Sequence, residues 1–324
     1  MRRWRVVLAT LAATLAVPGV AHADPAEATD YRTTVRSIEP RTPGVRVDVV
    51  GGDSFLRLTV NRGTQVVVLG YQDEPFLRIR GNGRVQENRR SPTLYQSESR
   101  YGGGTAPLDA RAKAEPEWVA VGSGGTYAWH DHRSHWMDRR RPAGAAPGDV
   151  VVDDIVPLLV DGERVEVRVV SRWLPALSRL PLLLGAALGG ALVVVALATR
   201  RRLAWVLLVA GGGSTAVGWW QFDSLPPETG PRPIWWVLPA LATACAAVGI
   251  VLGRRLVSYA LVILGALELA VWVVLRRDGL LRTILPTDAP FWLDRAVTVG
   301  AGVVAVAAAA TAVLGFLRSA SPLP

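Results

Sequence analysis

The chain has 324 residues, half of them hydrophobic, and a positive mean hydropathy of +0.26. These values are too high for an ordinary soluble enzyme and point to membrane spans. The net charge of +9 does not indicate nucleic-acid binding, because residues 24–172 carry equal numbers of basic and acidic side chains. The surplus lies at the N-terminus and in the second half, where arginines at helix ends set the topology of membrane proteins.

The first 23 residues have the pattern of a secretory signal peptide. Three arginines among the first five residues precede an apolar run, and Ala21 and Ala23 form a small-residue cleavage site before Asp24. An uncleaved anchor is the alternative, and it would leave the following domain on the same side of the membrane. In both cases we expect residues 24–174 to be exported.

Residues 24–174 are predicted to form an all-β extracytoplasmic sandwich, Ig-like or cupredoxin-like. Short segments rich in valine, leucine and aromatic residues alternate in places with polar ones, and glycine, asparagine and aspartate turns separate them. About seven such strands in one domain are typical of a sandwich. The predicted strands are 45–50, 55–60, 64–70, 75–80, 117–121, 153–160 and 164–173, with long loops at 88–116 and 138–148.

Residues 175–324 are predicted to form an α-helical membrane bundle of five spans. Each apolar run is near the 20 residues or so that a bilayer core requires. The spans lie at about 180–199, 203–220, 234–252, 256–275 and 296–317. The basic hairpins 200–202 and 254–255 indicate cytoplasmic loops. We therefore expect a polytopic plasma-membrane protein with its N-terminal domain outside, its C-terminus cytoplasmic and the lipid bilayer as its main partner.

Four arginines conflict with this topology, because Arg276, Arg277, Arg282 and Arg295 would lie on the outer side. The five-span interpretation is retained because an even number of spans would leave one hydrophobic run unused. A belt of tryptophans at the outer ends of the spans also favours it. These tryptophans are Trp219, Trp220, Trp235, Trp236 and Trp292.

The strongest chemical signal is a cluster of histidines. His130, His132 and His135 lie within six residues, and the fourth histidine, His22, falls in the predicted signal peptide. On an extended strand His130 and His132 would share a face, and a turn could bring His135 to join them. Three imidazoles so placed suit Cu(II) or Zn(II), and the nearby thioether of Met137 favours copper, including Cu(I).

Three neighbours are predicted to support this site. Asp131 could orient a ligating imidazole as a hydrogen-bond acceptor, while Trp129 and Trp136 would shield the metal from water. Copper is the favoured metal and zinc the second choice. The competing interpretation is that the histidines bond to protein neighbours on an exposed hairpin.

The functional hypothesis is non-enzymatic metal handling by a membrane-anchored envelope protein, with another envelope or metal-handling protein as its partner. Enzymatic activity is less favoured, because no general base stands out. The alternative is a structural or interaction module whose Trp/His loop docks on an envelope partner. A third hypothesis is transport through the bundle, with Glu268 in the fourth span as the intramembrane polar residue.

The histidine run also carries a resemblance. Residues 129–137 (Trp-His-Asp-His-Arg-Ser-His-Trp-Met), with segments 74–79, 87–88, 91–92 and 285–295, resemble an uncharacterised family of actinobacterial polytopic membrane proteins with a secreted N-terminal domain. The resemblance implies the same two-part architecture and no particular activity.

Overall fold

A computed structural model describes residues 24–198 and 203–320. In the first part of these residues ten strands form two antiparallel sheets, and five apolar helices follow, which confirms the expected order of a β-sheet domain and a helical part. The predicted signal peptide and the hairpin 200–202 lie outside the described residues. The strands are β1 (Tyr31–Glu39), β2 (Val45–Val50), β3 (Phe55–Val60), β4 (Val66–Leu69), β5 (Pro75–Ile79), β6 (Val85–Asn88), β7 (Trp118–Gly122), β8 (Thr126–Trp129), β9 (Val150–Val160) and β10 (Glu163–Trp173).

The two sheets share one hydrophobic core. The larger sheet has the order β1-β10-β9-β4-β5-β6-β7, and the smaller has the order β2-β3-β8. Val165, Val167 and Val169 alternate with exposed residues along β10, so that one face of that strand is buried. Val47 and Leu58 of the smaller sheet belong to the same buried cluster. Burial of each such side chain contributes roughly 1.5–3 kcal/mol, and the core therefore fixes both sheets together.

The second part contains five helices that are long and apolar enough to cross a membrane. They are α2 (Leu180–Ala198), α3 (Leu203–Asp223), α4 (Ile234–Leu252), α5 (Arg255–Leu275) and α7 (Phe291–Ala320). The short helices α1 (Pro92–Gln96) and α6 (Arg277–Leu281) lie in the β-sheet domain and between α5 and α7. Leucine and valine side chains remain exposed along α2, as lipid-facing helices require.

The β-sheet domain is attached to the loops at one end of the helices. Thr29 and Ile284 exchange two backbone hydrogen bonds of 3.0 and 2.8 Å, which forms an isolated antiparallel bridge. The Glu228 carboxylate accepts a hydrogen bond from the backbone N–H of Ala128 at 2.8 Å. Leu225 of the α3–α4 loop is buried in a small cluster of residues from the β-sheet domain. The two parts of the chain therefore meet through backbone pairing, polar contacts and apolar burial.

Three of the four arginines that conflicted with the predicted topology are engaged near this junction, whereas Arg277 is exposed. Arg276 pairs with Asp294, and Arg282 pairs with Asp30 at 2.7 Å. Arg295 donates to backbone carbonyls of the loop between α5 and α7 at 2.7–3.1 Å. These guanidinium groups stabilise the junction. Their position is therefore explained by these contacts and not by the charge bias of membrane loops.

Close approach between α3 and α4 depends on Gly218. A Cβ atom there would lie 1.9 Å from the backbone oxygen of Trp235, whereas a Cβ at Gly212 on the same helix would meet nothing within 4 Å. We expect Gly218→Ala to destabilise the helical part by about 1–3 kcal/mol, because overpacking forces the helices apart. Gly212→Ala should be neutral or slightly stabilising. Denaturant titration of the purified full chain in detergent measures both, and equal stability of the two variants would contradict the close packing.

Three strands were not predicted from the sequence. They are β1, β6 and β8, and each is either short or rich in polar residues. The predicted loop 88–116 also contains α1. The remaining strands and the five long helices begin and end within a few residues of their predicted bounds, apart from α7, which begins at Phe291 rather than 296.

Candidate functional site

The histidine segment leaves the smaller sheet at Trp129. β8 pairs with β3, with Trp129 opposite Leu56, and the strand ends there. A turn of 3-10 helix then covers His132–Ser134. An extended strand therefore does not continue through His132, and the side chains of His130 and His132 are not arranged by strand alternation.

Asp131 explains why the chain turns at this point. Its carboxylate caps the 3-10 turn by accepting from the backbone N–H of Arg133 at 3.1 Å, and it accepts two hydrogen bonds of 2.8 Å from the Arg133 guanidinium. It also accepts from Nε1 of Trp129 at 3.1 Å. Burial alone would raise the pKa of Asp131, but the ion pair with Arg133 and these hydrogen bonds outweigh it and lower the pKa. Both carboxylate oxygens accept from these two neighbours, so Asp131 orients Arg133 and Trp129.

Both ring nitrogens of His130 face backbone carbonyls. Nδ1 lies 2.5 Å from the oxygen of Ser54, and Nε2 lies 2.8 Å from the oxygen of Asp24. The ring stacks on Phe55 at 4.2 Å between centroids and is 1% exposed. Burial lowers the pKa of His130, against the two carbonyls, which favour the charged form. His130 thus joins Asp24 to the β2–β3 turn and has no nitrogen left for a ligand.

His132 and His135 each have one ring nitrogen within hydrogen-bond distance of a backbone carbonyl oxygen. Nε2 of His132 lies 2.9 Å from the backbone oxygen of Ser99, and Nδ1 of His135 lies 3.3 Å from the oxygen of Trp136. Nε2 of His135 is buried and has no hydrogen-bond partner among the described residues. Burial, aided by the charge of Arg100, lowers the pKa of His135 to about 3. His135 is therefore a neutral imidazole at physiological pH.

The rings of His130 and His132 flank that of His135. Its centroid lies 6.1 Å from that of His130 and 5.8 Å from that of His132, with near-perpendicular planes in both pairs. Within residues 24–198 and 203–320, no group of three or more His, Cys, Asp or Glu side chains is arranged to hold a metal ion. The rings are neighbours, and a metal centre that uses all three histidines stays a prediction.

His132, His135 and Met137 line an open cleft of about 940 Å³, which we call the histidine cleft; Tyr101 and Trp136 line it too. A Cβ on Gly102 would lie 3.7 Å from Cε1 of His132 and 3.9 Å from the methyl carbon of Met137. The thioether and the ring of His132 therefore approach the same glycine.

The two tryptophans are placed differently from each other. Trp129 belongs to the core of the β-sheet domain and is only 5% exposed. Trp136 is half-buried, donates from Nε1 to the backbone oxygen of Arg140 at 2.8 Å and lines the cleft. Only Trp136 is in a position to cover the histidine cleft.

A buried ion pair beside the histidines was not predicted. Arg100 donates to both carboxylate oxygens of Asp53 at 2.9 and 2.6 Å, and both residues are almost fully buried. Thr29 donates to the same carboxylate at 3.3 Å. The two partners are 47 positions apart, so no local spacing could have revealed them.

Glu268 lies in α5 and is half-buried. It takes part in none of the ion pairs of the described chain. Its role in transport stays a prediction.

Comparison of the chain with protein-family models, with curated proteins and with solved structures gave no match.

Proposed function

We propose that this chain is a membrane-anchored, non-enzymatic metal-handling protein of the cell envelope that binds Cu(I) through His132, His135 and Met137. The observation that carries the proposal is the buried Nε2 of His135, which lacks a hydrogen-bond partner in the described structure. An unsatisfied buried polar group costs roughly 1–3 kcal/mol, so such an atom calls for a partner that the polypeptide does not supply. A metal ion is a partner suited to a neutral imidazole nitrogen.

The hydrogen bonds of the two rings support metal ligation. A carbonyl oxygen can only accept, so Nε2 of His132 carries its hydrogen toward Ser99, and Nδ1 of His135 carries its hydrogen toward Trp136. The remaining nitrogen of each ring then holds a free lone pair. Metal-binding histidines regularly donate their other N–H to a backbone carbonyl in this way.

Distance and ligand type agree with one shared ion. Two imidazoles bound to one metal at about 2.0–2.1 Å have ring centres roughly 5 to 6.4 Å apart, and those of His132 and His135 are 5.8 Å apart. The third ligand, Met137, is a thioether, which favours Cu(I) over zinc. His130 drops out of the predicted ligand set because its nitrogens are engaged with Ser54 and Asp24.

Several interpretations of the sequence remain predictions beside this proposal. They are the Ig-like or cupredoxin-like type of the sandwich, the cleaved signal peptide, the outward orientation of the N-terminal domain, docking of the Trp/His loop on an envelope partner and transport through Glu268. Zinc is the second-choice metal.

Competition with a coloured Cu(I) chelator under reducing conditions tests the proposal on the purified full chain in detergent. We expect one Cu(I) per chain, and a loss of affinity of about 100-fold or more in His135→Phe, which removes a ligand but fills the same buried space. Met137→Leu should weaken Cu(I) and leave Zn(II) binding unchanged.

The matched control is Leu108→Ala, which shortens an exposed apolar side chain outside the histidine cleft and should leave Cu(I) affinity unchanged. Equal affinity in the wild type, His135→Phe and Met137→Leu would refute the proposed site.

A further inference from the structure

The second cavity of interest lies where the β-sheet domain meets the ends of the helices, and it does not depend on the metal proposal. It has a volume of about 420 Å³. Residues 25–29 and the loop 136–141 form its wall on one side. Gln221 of α3, Trp235 of α4, Leu275 of α5 and Asp294 of α7 form the other wall. The cavity therefore lies at the ends of four of the five apolar helices.

Arginine is the prevailing charged residue of this cavity, which we call the arginine cavity. Six guanidinium groups line it against four carboxylates. The arginines are Arg100, Arg139, Arg141, Arg232, Arg276 and Arg282, and the acids are Glu27, Asp138, Asp278 and Asp294. Asp53 and Asp30, just outside the lining, supply the counter-charges of Arg100 and Arg282, so the cavity is rich in guanidinium donors and not in net positive charge.

Three of the arginines are held in place by carboxylates. Arg100 pairs with Asp53 at 2.6 Å, Arg282 pairs with Asp30 at 2.7 Å, and Arg276 pairs with Asp294. Asp53 and Asp30 stand behind the cavity wall. These pairs make the wall rigid and account for half of its positive charge.

The other three arginines are uncommitted. Arg139, Arg141 and Arg232 are exposed and take part in none of the ion pairs of the described chain. Arg139 lies over the ring of Tyr101 at 4.6 Å, and Arg141 lies over Trp173 at 5.6 Å. Stacked guanidinium groups keep their forked N–H donors free for an oxyanion.

Arg276 has a buried hydrogen-bond donor that a ligand could use. It is 8% exposed, lies over Trp272 at 4.8 Å and donates to Gln221 and Asp294 from its two terminal nitrogens. Its Nε atom is buried without a hydrogen-bond partner in the described chain. A buried charged group with an unused donor is costly unless a ligand completes it.

We propose that the arginine cavity binds a phosphate group, either that of an anionic lipid or a free phosphate. Guanidinium groups match phosphate oxygens with paired N–H donors, and such charge-assisted bonds are stronger than neutral ones. The helix ends and the tryptophans Trp219, Trp235 and Trp236 place the cavity at the depth where lipid headgroups lie. The aromatic Trp235 and the apolar Leu275 in its wall suit the glycerol part of a lipid.

Calorimetric titration of the purified full chain in detergent tests the proposal with dihexanoyl phosphatidic acid and with inorganic phosphate as probes. The test variant is Arg139→Gln/Arg232→Gln, which removes two exposed, unpaired charges and leaves the ion pairs of the wall intact. The matched control is Arg62→Gln/Arg84→Gln, which removes two exposed arginines from turns of the β-sheet domain.

We expect the wild type and the control to bind phosphatidic acid alike, and the test variant to bind it about tenfold or more weakly. Competition by inorganic phosphate at comparable concentration would assign free phosphate as the ligand, and weak competition would assign the lipid. Equal affinity of test and control variants, or binding of neither probe by the wild type, would overturn the proposal.

Discussion

Replacing Asp53 by Ala should lower the free energy of unfolding by about 3–5 kcal/mol, because it leaves Arg100 buried with no counter-charge. The bidentate pair joins the β2–β3 turn to the segment after α1, and Thr29 adds a third bond to the same carboxylate. Loss of Asp53 therefore loosens both the histidine segment's surroundings and a wall of the arginine cavity. Denaturant titration of the full chain in detergent, followed by tryptophan fluorescence, measures the loss.

Two further variants separate the buried charge from other effects. Asp153→Ala removes an exposed ion pair with Arg168 and should leave the unfolding midpoint unchanged within error. The double replacement Asp53→Leu/Arg100→Met should recover much of the lost stability, since no unpaired charge remains. A small effect of Asp53→Ala would mean that water reaches Arg100 in the folded chain.

Stability of the metal-free protein should fall steeply with acidification below pH 6.5. The pKa of His135 is lowered from 6.5 to about 3 by burial and by the nearby charge of Arg100. Between these two values the unfolded chain binds a proton that the folded chain does not, so stability rises with pH across this window. One such group contributes up to about 1.4 kcal/mol per pH unit. His130, whose pKa is also lowered by burial, acts with the same sign.

Denaturant titrations in the presence of a chelator, at pH values on both sides of 6.5, measure this dependence. His135→Phe should flatten the slope, because the residue that titrates is gone, whereas Met137→Leu should keep it. Asp131 does not interfere, since its pKa is lowered from 3.8 and its stabilising contribution is lost only at still lower pH. An identical slope in the wild type and His135→Phe would contradict the burial argument.

The helical part could be predicted from the sequence because hydropathy is a local property. A run of about 20 apolar residues indicates a span whatever its neighbours are, and α4 begins and ends at its predicted bounds. Strands with a clear apolar run, such as β3, could be predicted equally well. β1 was not, because its polar sequence has meaning only beside β10, with which it pairs from Tyr31↔Trp173 to Glu39↔Glu166.

The sequence predicted which residues lie at the site but not how their side chains are arranged. The clustering of His132, His135 and Met137 in one segment indicated a place of interest, and the structure brings all three to one cleft. The role of His130 depends on carbonyls 76 and 106 positions away, which the spacing of residues 130–135 does not encode. The arginine cavity had one signal in the sequence, which was the set of arginines on the predicted outer side of the membrane. Two of them, Arg276 and Arg282, lie in the cavity wall.

The histidine cleft and the arginine cavity have part of their boundary in common. Tyr101, Trp136, Asp138 and Arg139 line both. A phosphate that draws Arg139 inward would rearrange residues beside His135, and an ion bound at His135 would restrict the same residues. Thermodynamic reciprocity then demands that each ligand change the affinity for the other by an equal factor. The four side chains that line both cavities would thus couple phosphate binding at the helix ends to ion binding in the β-sheet domain.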